Sequence, residues 1–169
     1  MKLTQMERLI LVNQYMILEK LYQEEAGSYA NIRKALEDGY ELEYSEIFNN
    51  IYTDKDVLSE SGCIMVRDIL NMFTSLKRSY NNLEDKSGVN SKDVALWGFD
   101  GNSETEYMAY ARYLIEERQL WGNLKEDAVF NRHIPSLSRY KQMLNIWNSF
   151  GEGKSELTKE QILSIIGKD

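Results

Sequence analysis

Between about Ser59 and Glu84 apolar residues recur every three or four positions. Set out at about 100° per residue, Met65, Val66, Ile69, Leu70, Met72, Phe73, Leu76, Tyr80 and Leu83 share one side. Arg67, Asp68, Asn71, Thr74, Ser75, Arg78, Ser79 and Asn82 share the other. That pattern is a long amphipathic helix with one buried face. At ~1.5 Å per residue it would run roughly 39 Å, the width of a small domain. A helix of that length at mid-chain needs other helices along its apolar side. The expectation is therefore an all-α fold: a single multihelical domain over 1–169, with about five to seven helices around a long central one.

The totals agree. The chain has 169 residues and one proline, Pro135, so helices can run without enforced breaks. The net charge of −7 repels phosphate backbones and anionic membrane surfaces, which disfavours nucleic acid as a partner. A single cysteine, Cys63, excludes an internal disulfide and argues against a cysteine-ligated zinc site. No apolar run reaches the ~18 residues of a membrane span, so no membrane partner is expected. Glu7, Asn13-Gln14 and Glu19 interrupt the first apolar stretch, which does not read as a signal peptide. Cytoplasm is the expected location.

Residues 4–25 read as the first helix, opened by a Thr4–Glu7 capping box. It is apolar nearly all round, with Leu9, Val12 and Met16 marking one side. Such a helix is either central or shared between the core and a second subunit. Because the central place already has a candidate, Leu9, Val12 and Met16 are the expected oligomer interface. Ser28 is the expected cap of a second helix near 29–38, with Gly39 as its left-handed stop. A short helix follows from Tyr44 to Tyr52, a strand at 40–44 being the alternative for its start. Asp54-Lys55-Asp56 reads as a solvated connection. A turn folded onto the core is expected over 89–102. Further helices are expected from Ser103 to Trp121, from a Ser136 cap to about Phe150, and over 159–166 behind a Thr158–Gln161 capping box.

Chemistry-bearing patterns are few. Asp100, Asn102 and Glu104 alternate like a calcium loop, but the sixth and twelfth positions hold Thr105 and Ala111 instead of glycine and glutamate. Capping of the next helix by Asp100 or Ser103, with Glu104 and Glu106 at its positive end, explains them more simply. Cys63 and His133 could form a nucleophile and base, but no third orienting residue accompanies them. One histidine excludes a multi-histidine metal site, and the Glu-x-x-His unit of di-iron bundles is absent. The aromatic surplus of Trp97, Phe99, Tyr107, Tyr110, Tyr113 and Trp121 suits a core, an interface or a ligand site.

Several motifs are less generic: Arg8-Leu9-Ile10-Leu11 with Asn13-Gln14-Tyr15, then Gly98-Phe99-Asp100 with Glu104 and Tyr107. Phe130-Asn131 ahead of Pro135 follows, and then Tyr140, Met143-Leu144-Asn145 and Trp147. In this order they resemble the YfbU family of bacterial cytoplasmic proteins, across nearly the whole chain. The resemblance implies an all-helical, oligomeric protein with no established activity, and it transfers no catalytic residue. The expectation is a protein that acts through self-association and protein contacts, with no cofactor and no metal. One alternative is a regulator touching nucleic acid through a degenerate helix-turn-helix at 29–52. The other is an enzyme with a ligand site around Trp97, Asp100, Glu104 and Tyr107, though the residues lean away from catalysis.

Overall fold

Ser59 accepts a hydrogen bond from the Gly62 amide and so caps the long helix, which runs Glu60–Asn82. The computed structural model that shows this describes residues 2–49, 51–53, 56–126 and 130–168. The fold is all-α: seven α-helices and no strand among the described residues. The chain divides into two compact units, Met1–Val57 and Leu58–Asp169.

In the first unit, α1 (Gln5–Leu21) packs on α2 (Ala26–Asp38), followed by the single-turn α3 (Tyr44–Phe48). The Thr4–Glu7 capping box forms as expected. Gly39 ends α2 at φ 77°, a conformation that costs glycine little. Ser28 is inside α2, which begins at Ala26, so it is not the cap. Residues 41–43 form a 3-10 turn and not a strand, and α3 stops at Phe48, short of Tyr52. Of the expected 54–56 connection, Asp54 and Lys55 lie outside the described residues. Arg8 donates to the Leu36 carbonyl at 3.0 Å, satisfying an acceptor left open at the end of α2. Arg33 pairs with Glu19 across the two helices.

The second unit is built on α4 (Glu60–Asn82), with α5 (Thr105–Arg112), α6 (Leu137–Ser149) and α7 (Lys159–Ile166) around it. Val66, Ile69, Leu70, Met72, Phe73 and Leu76 are fully buried, as their spacing predicts. Ser75 and Ser79, expected on the solvent side, are buried too. Each hydroxyl finds a partner: Ser75 donates to the Asn71 carbonyl, and Ser79 accepts from the Leu157 amide at 2.8 Å. Small satisfied hydroxyls let neighbouring chain approach a face that polarity alone would assign to water.

The helix expected over 103–121 is shorter. α5 widens into a π-helical turn at Tyr113–Glu117. The amides of Arg118 and Leu120 then bond back to the carbonyls of Tyr113 and Leu114, ending the helix. Gln119 and Trp121 take left-handed backbone at φ 53° and 52°. Trp121 therefore leaves the helical stripe, and its indole donates to Asn71 Oδ1 at 2.9 Å. No helix is long and apolar enough to cross a membrane among the described residues.

Candidate functional site

The stretch from Trp97 to Tyr107 closes the second unit. Phe99 exchanges backbone hydrogen bonds with the 130–132 segment: its amide donates to the Phe130 carbonyl and its carbonyl accepts from the Arg132 amide, both at 2.8 Å. Phe99 thereby lies edge-on to Tyr140, with ring centres 5.6 Å apart, and stacks against Tyr107. Trp97 stacks on Tyr140 from another side, and the Arg132 guanidinium lies 5.0 Å above the Trp97 ring. The buried Tyr140 hydroxyl donates to the Gly98 carbonyl at 2.7 Å, and burial pushes its pKa well above the usual phenol range.

Asp100 and Glu104 divide the polar work. Asp100 accepts from the Ser103 hydroxyl at 2.7 Å and from the backbone and side-chain amides of Asn102. These bonds, led by that of Ser103, hold its carboxyl below the ordinary range. It organises the turn before α5, but the residue at the N-cap of α5 is Glu104, with no side-chain cap bond. Glu104 instead reaches the start of α6. Its oxygens accept from the Ser136 amide at 2.8 and 3.1 Å, the Leu137 amide at 2.8 Å and the Asp100 amide at 3.0 Å. A negative group there satisfies open N–H donors and meets the positive end of the helix dipole. Ser136 occupies the expected N-cap position, but its hydroxyl donates back to the Ile134 carbonyl and makes no cap bond. Sequence spacing assigns Glu104 to its own helix; the tertiary fold gives it to another.

Asn131 completes the clasp, accepting from the amides of Gly101 and His133 at 3.1 and 3.0 Å. A Cβ on Gly101 would stand 2.5 Å from Asn131 Nδ2 and 2.9 Å from its Cγ. Gly101→Ala should therefore displace Asn131 and lower stability by about 1–3 kcal/mol. Urea denaturation measures this, and an unchanged midpoint would show that Asn131 is not needed there.

Trp97, Asp100, Glu104 and Tyr107 are thus brought into one neighbourhood, with both carboxylates hydrogen-bonded to protein donors. Cys63 is half-buried in the first turn of α4, its thiol near the Leu58 carbonyl. His133 lies on left-handed backbone at φ 58°, and no contact joins it to Cys63 among the described residues. No cluster of three metal-ligating side chains occurs among the described residues.

The other singled-out surface is α1. None of its residues is buried. Arg8, Leu11, Val12, Tyr15, Leu18 and Glu19 are half-buried, and they fall on one arc of the helix. The opposite arc is exposed and apolar: Met6 65%, Leu9 53%, Ile10 51%, Met16 52%, Ile17 58% and Leu21 67%. Of the expected interface trio, Leu9 and Met16 stand in the open and Val12 turns partly inward. A groove of about 720 Å³ beside them is lined by Met6, Leu9, Val12 and Leu36, with Arg8 and Glu37 at its polar edge.

With seven α-helices and no strand among the described residues, and with Glu104 buried against the start of α6, the chain is an all-α protein. The chain belongs to the YfbU family, whose domain matches residues 1–167. It is 40% identical to a UPF0304 protein of Methanocaldococcus jannaschii over 170 residues, covering 97% of this chain and 98% of that protein. An archaeal relative extends the family beyond the bacteria to which the resemblance pointed. Of the residues that carry the resemblance, Gly98-Phe99-Asp100, Glu104, Asn131 and Tyr140 meet around the start of α6, whereas Arg8–Leu11 and Asn13–Tyr15 lie on α1.

Proposed function

We propose that this chain is a self-associating helical module of the cytoplasm that works through protein contacts, with the outward side of α1 as its contact surface. One observation carries the reading: a 17-residue helix with no buried residue presents an apolar arc away from α2, the helix it packs on. Large contiguous apolar patches are uncommon on monomers and accompany interaction sites. The thin interior of the first unit supports it. Its buried apolar residues among those described are Ala35, Leu36 and Tyr44, whereas Leu42, Ile51, Tyr52 and Val57 are also exposed. So small a core supplies little stability unless another surface covers it.

Light scattering should give a mass above one chain at micromolar concentration. Leu9→Glu or Met16→Glu, which would place a charge in the contact, should weaken association by about 100-fold or more. A strict monomer in the unsubstituted protein would end the reading. The nucleic-acid reading draws less support. Arg33 and Lys34 of the 29–52 region are paired with Glu19, Glu37 and Asp38, and α3 has only five residues. The enzymatic reading would need a free reactive group near Asp100, whose carboxylate is held by Asn102 and Ser103.

A further inference from the structure

The central part of the exposed arc of α1 has a second property: its apolar positions are spaced symmetrically about Asn13. Ile10 and Met16 lie three residues to either side of it, Leu9 and Ile17 four, and Met6 and Lys20 seven. Residues at these offsets share one helix face, so Asn13 sits at the middle of an apolar strip that reads alike in both directions. All seven are exposed.

We infer that α1 pairs with α1 of a second copy, antiparallel, with the two-fold axis at Asn13. This rests on the self-association just proposed and specifies the partner and the register. A two-fold contact must be self-complementary, residue i meeting j while j meets i. About Asn13 the pairs are Leu9 with Ile17, Ile10 with Met16, and Met6 with Lys20. The first two are apolar on apolar. In the third, the aliphatic stem of Lys20 covers the Met6 side chain while its ammonium reaches water.

The residue on the axis faces its own copy. An asparagine suits that place because its amide carries both donors and an acceptor, so two copies satisfy one another. A polar residue at the centre of an apolar helix seam costs some stability and selects register. A foreign apolar partner would gain nothing from the mirrored spacing and would leave Asn13 unpaired. The area is sufficient as well. Met6, Leu9, Ile10, Met16, Ile17 and Leu21 are each more than half exposed. Together they offer on the order of 600 Å² per copy, the share of each partner at the low end of a stable interface.

Disulfide trapping tests the register, in the full chain carrying Cys63→Ser so that no native thiol competes. Asn13→Cys should form a covalent dimer under mild oxidation, because a bridge needs Cα atoms only ~4.4–6.8 Å apart. Met6→Cys alone and Lys20→Cys alone should stay largely unlinked. An equilibrated mixture of the two should give the Met6→Cys/Lys20→Cys heterodimer as its main covalent product. Light scattering of the reduced samples separates the two levels of the proposal. A reduced dimer in which Asn13→Cys fails to link, or Met6→Cys links to itself, overturns the antiparallel register while self-association stands. A reduced monomer at micromolar concentration in the parent protein overturns both. An association that Leu9→Glu does not weaken and Asn13→Cys does not trap places the contact elsewhere and overturns the assignment of α1.

Discussion

Glu104→Ala should lower the unfolding free energy by about 3–5 kcal/mol, a large part of the ~5–15 kcal/mol that holds a domain of this size. The side chain is 4% exposed and accepts from three backbone amides, those of Asp100, Ser136 and Leu137. Removing it leaves these donors without a partner in an interior poor in water, and an unsatisfied buried donor costs about 1–3 kcal/mol. It also removes the negative charge from the start of α6. Glu104→Gln should cost less, because one oxygen remains, but its NH2 group would face amides that also donate. Glu106→Gln, on an exposed neighbour, should stay within about 0.5 kcal/mol. Chemical denaturation with linear extrapolation measures all three. A loss below about 1 kcal/mol for Glu104→Ala would show that water or a rearranged turn replaces the carboxylate.

Phe73→Ala should be comparably damaging, at about 3–5 kcal/mol. Phe73 is wholly buried at the middle of α4 and meets Trp97 and Tyr140 edge-on, with ring centres 6.0 and 5.4 Å away. Its loss removes apolar burial, leaves a cavity and breaks two aromatic contacts worth roughly 0.5–1.5 kcal/mol each. Leu at this position should recover much of the volume but not the edge-on geometry. Equilibrium urea unfolding supplies the magnitude. Near-ultraviolet circular dichroism provides a second reading, since Trp97 and Tyr140 lose a fixed neighbour. An unaltered aromatic signal with unaltered stability would contradict the packing described for this core.

Much of the fold is legible in the residues because its signals are local. Thr4 with Glu7 and Thr158 with Gln161 form their capping boxes, and Gly39 takes the left-handed turn. The terminal helix spans Lys159–Ile166, the 159–166 that the capping box predicts. Each depends on contacts within a few residues, where spacing and side-chain type suffice. The end of α5 was not legible. The π turn at Tyr113–Glu117 and the left-handed Gln119 and Trp121 break no composition rule, and Trp121 is drawn from the helical stripe towards Asn71 of another helix.

The candidate site divides along the same line. Trp97, Asp100, Glu104 and Tyr107 could be singled out as a polar and aromatic cluster, but their use could not. Glu104 meets Ser136 and Leu137 across more than thirty residues of chain, and Asn131 meets Gly101 across thirty. Nothing in a one-dimensional pattern marks such a pairing.

The sequence by itself determined that this is an all-α chain, that its long mid-chain helix buries the face from Val66 to Leu76, and that α1 is too apolar to stand alone. Periodicity encodes these properties because burial of apolar area is additive along one helix. Only the tertiary structure decided that α1 leaves its Met6–Leu21 arc open, that Ser75 and Ser79 lie inside, and that Glu104, read as a charge at the positive end of its own helix, serves the start of α6 instead. Those outcomes depend on which surfaces meet. The energy of a buried polar group is set by its partner, and partners are chosen in space, not along the chain.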